Sequence, residues 1–132
     1  MQGLILNEGG YVTYPYLIFE KIEPYIRGLN WRISNAQCGG GSYEFPFEHE
    51  EDSIVDGNTL FEIIRDHNDI QWYWGVLSGF PKSVSEEMIR QHPLLDVMME
   101  QPYLKDELHH IEPQSVLEIV AFDGTETYVY TD

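Results

Sequence analysis

Cationic side chains are scarce in this chain. Seven Lys and Arg stand against 23 Asp and Glu among 132 residues, a formal net charge of -16. Nucleic-acid binding draws most of its affinity from Lys and Arg that displace counterions, so no direct DNA or RNA partner is expected. An anionic membrane surface is disfavoured for the same reason. Cysteine is scarcer still. The single Cys38 leaves no disulfide framework and no thiolate metal cluster, which fits a reducing cytoplasm. No run approaches the ~18 uncharged apolar residues of a membrane-spanning helix, and MQGLILNEGG lacks the basic start and apolar stretch of a signal peptide. A cytoplasmic location is therefore expected. Repeats, low-complexity tracts and linkers are also missing, so residues 1–132 read as a single domain.

What is present is apolar and patterned. Hydrophobic residues make up 42% of the chain and aromatics 14%, too many for a disordered polyanion, so the charge must surround a packed core. Leu4 to Leu6 suits a short strand. Thr13 is placed to cap a helix carrying Leu17, Ile18, Ile22, Tyr25 and Ile26 at helical spacing, kinked or split at Pro24 and stopped by Gly28. The period then becomes two, with Leu29, Trp31 and Ile33 on one side and Asn30, Arg32 and Ser34 on the other. After the Gly39 to Gly41 turn, Tyr43, Phe45 and Phe47 alternate as the second strand of a hairpin, with Pro46 marking an edge or an end.

Asp56 or Asn58 is expected to cap a helix running to Asp66, with Leu60, Ile63 and Ile64 on its inner face. Residues 70–80 are apolar on both sides and read as the central strand, with Ile70, Trp72, Trp74 and Val76 sharing a face. Ser85 caps a third helix, broken at Pro93. Leu94 to Met99 suits a further helical turn and Pro102 to Glu112 an irregular connection. Val116 to Phe122 and Thr125 to Thr131 flank Asp123-Gly124, a type I′ hairpin signal. The expected fold class is α+β, an antiparallel sheet of about five or six strands with two to three helices packed on one face and a C-terminal β-hairpin.

Motifs that would name a chemistry are missing. Gly9-Gly10 and Gly39 to Gly41 match neither the dinucleotide fingerprint nor the phosphate-binding loop, so no cofactor is expected. Ser42, Ser78 and Ser83 sit in no nucleophile elbow, and the CGGG run suits a hairpin turn beside a small thiol better than it suits a nucleophile. The run Glu48 to Asp52 lacks the alternation and central glycine of an EF-hand loop and reads as a solvated acidic loop. His109, His110 and Glu112 form the densest set of metal-ligand types, yet adjacent histidines point apart on any regular element, and a polar loop accounts for them. Trp72 and Trp74 read as core and Tyr73 as a surface contact.

Three function classes remain. The first is a non-catalytic module that captures a basic protein, using Glu48, Glu50, Glu51, Asp52, Asp66, Asp69 and Tyr73. In size, charge and aromatic content the chain resembles bacterial antitoxins and immunity proteins that occlude basic toxins or nucleases, and the resemblance implies acids that imitate phosphates in the toxin's groove. The second is a metal-binding protein or enzyme built on His109, His110 and Glu112. The third is a structural or regulatory subunit of a larger assembly.

Overall fold

The computed structural model describes residues 2–6, 13–39, 45, 47, 52–93, 112 and 114–131. Its elements are β1 (Gln2–Leu6), α1 (Tyr16–Phe19), α2 (Glu23–Arg27), β2 (Asn30–Gly39), β3 (Asp52–Asp56), α3 (Gly57–Asp66), β4 (Gln71–Phe80), α4 (Glu86–Arg90), β5 (Leu117–Phe122) and β6 (Glu126–Thr131). All strand pairs are antiparallel, in the order β1-β6-β5-β4-β2-β3. The α+β class holds, and β4 is a central strand as its two apolar faces require. In the C-terminal hairpin, Asp123 (φ 50°) and Gly124 (φ 69°) both adopt the left-handed conformation that a type I′ turn needs.

Three helices cover one face of the sheet. Trp31, Ile33, Leu77, Leu117 and Ile119 project from it against Phe19, Ile26, Leu60, Phe61 and Ile64. Each such side chain stabilises the fold by about 1.5–3 kcal/mol when fully buried, so α3 is held by its three buried anchors more than by its cap. That cap is Asp56, which accepts the Thr59 N–H at 3.0 Å. Gly57 follows it because a Cβ there would overlap the Ile26 carbonyl and lie 2.6 Å from that of Leu29. The start of α3 is thereby pressed against the end of α2. Arg27 staples the same pair, donating to Glu62 at 2.9 Å and lying 4.3 Å over the Phe61 ring.

A fourth helix lies on the opposite face, where Ile89 and Val84 pack on Phe80 and Ile54. Ser85 caps it, accepting from Met88 N–H at 3.2 Å.

Four local expectations are corrected. Thr13 is not a cap: Pro15 precedes α1, while Thr13, at φ 57°, donates its N–H to Thr127 Oγ1 at 3.0 Å and so ties the chain to the sheet. Phe45 and Phe47 lie outside any strand; both are buried, and Phe45 packs edge-on against Trp72 at 5.6 Å. Pro46 between them has no N–H to give a ladder, and the outer partner of β2 is β3 instead. Arg32 and Ser34 are buried rather than solvent-facing, because the second side of the sheet is also covered.

The fourth correction concerns the tryptophans. From Ser34 to Gln37 β2 advances three residues while β4 advances two, and from Gln37 to Cys38 the surplus passes to β4. Asn35, at φ 58°, sits in the first irregularity. Each extra residue flips the side-chain alternation. Trp72 therefore joins Ile70 in the first core, whereas Trp74 packs against Phe122 at 5.1 Å beside Val76 and Val120.

Candidate functional site

On the second face a row of polar side chains crosses three strands. Arg32 on β2 stands opposite Ser78 on β4, and Ser78 opposite Glu118 on β5. All three are buried, Glu118 completely. Arg32 is the hub. Its Nε and Nη2 donate to the two oxygens of Asp52 at 2.8 and 3.1 Å, while Nη1 reaches Glu112 Oε1 at 3.1 Å and the carbonyls of Ile89 and His92 at 3.1 and 3.0 Å. Ser78 Oγ donates to Glu118 Oε2 at 2.7 Å, and the same oxygen accepts the Glu112 N–H at 3.1 Å.

Two carboxylates, Asp52 and Glu112, thus share the buried Arg32 guanidinium. Burial pushes the Glu112 carboxyl above its ordinary range, outweighing the pull of Arg32 and His92. Burial likewise lowers the Arg32 guanidinium, but hydrogen bonds to Asp52 and the charge of Glu112 more than offset it, leaving Arg32 firmly cationic. Among the described residues His92 Nδ1 is buried with no hydrogen-bond partner, 3.3 Å from Glu112 Oε2. Next to Glu118 across the ladder, burial pushes the Tyr130 hydroxyl up to about 12. Chemically the cluster is a crosslink: one guanidinium joins β2 to β3, to the end of α4 and to Glu112. Its serine hydroxyls are spent as donors, Ser78 on Glu118 and Ser115 on the Glu112 carbonyl at 2.8 Å.

The residues singled out from sequence are distributed differently. Asp52 opens β3 and turns onto Arg32, with Arg90 also 3.7 Å away, rather than standing in a solvated acidic loop. Asp66 and Asp69 are exposed where α3 turns into β4, and Tyr73 follows on β4, 44% exposed. Glu112 is the buried acid of the Arg32 cluster. Glu48, Glu50, Glu51, His109, His110, the stretch Leu94 to Met99 and residues 102–111 lie outside the described residues. Among those described, no group of three or more His, Cys, Asp and Glu side chains is arranged to hold a metal ion, and no helix is long and apolar enough to cross a membrane. The chain matches no family model, no curated protein and no solved structure.

Sequence reasoning missed the cluster itself. Its trace was a lone charge inside each of two strand runs, Arg32 between Trp31 and Ile33 and Glu118 between Leu117 and Ile119. Such a charge inside a buried strand demands a partner.

The outside of the molecule carries the complementary pattern. All four arginines are committed to acids of the same chain: Arg27 to Glu23 and Glu62, Arg32 to Asp52 and Glu112, Arg65 to Glu62 and Asp66, Arg90 to Glu86 and Asp52. Exposed Glu20, Asp69, Glu87 and Asp123 have no ion-pair partner among the described residues. The Arg27 pairs raise that guanidinium and hold Glu62 low.

Proposed function

We propose that this domain is a non-catalytic module that captures a basic protein, in the manner of antitoxins and immunity proteins. One observation carries the reading: all four arginines pair with acids of the same chain, while exposed Glu20, Asp69, Glu87 and Asp123 have no ion-pair partner among the described residues of a chain whose net charge is -16. Such a field steers a cationic partner and repels nucleic acid. Asp66 and Asp69, with Tyr73 beside them in the chain and the acids Glu48, Glu50 and Glu51, make the contact. Tyr73 supplies the apolar anchor that a purely electrostatic surface lacks.

Proteins encoded by genes adjacent to this one are the candidates to titrate, from low salt to about 0.5 M. Binding that weakens steeply with salt, and that is lost in a variant combining Asp66→Asn, Asp69→Asn and Tyr73→Ala, is the expected result. Absent or salt-insensitive binding defeats the reading.

A further inference from the structure

Where α2 stands off β5 and β6, it leaves a cleft of about 670 Å³. Ile22, Tyr25 and Leu29 line it from the helix segment, and Val116, Leu117 and Val129 from the sheet segment. No charged side chain lines it among the described residues, although the chain carries -16 overall.

We infer that this cleft binds an uncharged, apolar small molecule. The volume lies inside the range of about 300–1,000 Å³ typical of ligand pockets, and the described lining is mostly apolar, with Ile22, Leu29, Val116, Leu117 and Val129 among it. Charge selects the class. A fatty acid, phosphate or sulfonate entering the cleft would bring an anion into the field of a polyanion, with no Lys or Arg in the described lining to receive it. A cation would be drawn by that field but would find no carboxylate in the described lining to offset its desolvation. A neutral guest loses nothing on either count and gains by removing apolar wall from water. Tyr25, 68% exposed, is part of the lining. The inference stands apart from the capture of a basic partner, which uses other residues.

The test titrates the full chain with N-phenyl-1-naphthylamine, a neutral apolar dye, beside anilinonaphthalene sulfonate, an anionic dye of similar shape. A saturable fluorescence rise with one neutral dye per chain is expected, with the anionic dye at least about tenfold weaker. Val116→Trp, which fills the cleft from the sheet side, should weaken the neutral dye by about tenfold or more while the far-ultraviolet circular dichroism stays unchanged. If that variant does not fold, Pro24→Trp, at an exposed position on the α2 wall, makes the same test. Four results each overturn the inference: no saturable binding of the neutral dye, equal or tighter binding of the anionic dye, undiminished binding by a folded blocked variant, or a dimer in solution that Val116→Trp converts to monomer.

Discussion

Trp31 and Arg32 are neighbours on β2 and almost equally buried, 0% and 3% exposed, yet they face opposite sides of the sheet and are held by different forces. Trp31 sits among Phe19, Ile26 and Leu60, its indole N–H donated to the Ile26 carbonyl at 2.8 Å. Its contribution follows the apolar area removed from water. Arg32 sits among Asp52, Glu112 and two carbonyls. Taking those charges out of water costs several kcal/mol per ion, repaid only while every partner is in place. Trp31 is therefore stabilised by what it brings alone and Arg32 by the completeness of a set.

Substitution separates the two kinds of burial. Trp31→Ala should cost about 3–5 kcal/mol in urea unfolding, with no second substitution able to recover it. Arg32→Met should cost a similar 3–5 kcal/mol, because it strands the Glu112 and Asp52 carboxylates rather than because it empties space. The distinction lies in the cycle. Combining Arg32→Met with Glu112→Met should cost less than the sum of the single changes by about 1–3 kcal/mol. Strict additivity would show that Arg32 acts as packing, and the comparison would collapse.

The same contrast explains what could be read from the sequence. The apolar face was legible almost residue by residue, since helical and alternating periods mark inward positions directly: Leu60 and Ile64 on α3, Trp31 and Ile33 on β2, and the Asp123-Gly124 hairpin all lie where their patterns place them. The polar face was not. Its pairs join residues 80 positions apart, as Arg32 and Glu112 are, and no local period connects them. Trp72 and Trp74 diverged because the irregularity that flips the alternation arises in the pairing of β2 with β4. Phe45 and Phe47 mimic strand alternation while serving as a plug over Trp72. The acids expected to meet a partner proved legible as exposed at Asp66 and Asp69. Asp52 did not, because its destination is an arginine 20 residues earlier.

pH sharpens the comparison, since the polar face and the exterior respond with opposite sign. Burial raises the Glu112 carboxyl above its ordinary 4.5, so the folded state holds that proton more tightly than the unfolded chain does. The stability tied to it is fully present below pH 4.5 and is lost as pH rises through the raised folded value. Glu112→Gln keeps the shape and an oxygen acceptor for Arg32 while removing the titration. Urea midpoints measured from pH 4 upward, a range of about three units, should fall with pH in the parent and stay flatter in the variant. Parallel curves would mean that Glu112 is not the group in play.

The smallest effect supplies the control outside both faces. Asp56 is an exposed cap whose carboxyl is held below its ordinary 3.8, chiefly by the Thr59 N–H and then by the Thr59 hydroxyl at 2.7 Å. Asp56→Ala should cost about 1 kcal/mol near neutrality, where the carboxylate accepts both bonds. A lowered folded value carries the reverse sign: this stability is present above pH 3.8 and disappears as pH falls through the depressed folded value. Parent and Asp56→Ala curves should therefore converge in acid, whereas parent and Glu112→Gln curves should separate as pH rises above 4.5. Both pairs diverging on the same side would assign the two carboxyls to one kind of environment, and the exterior and the polar face would no longer be distinguishable by titration.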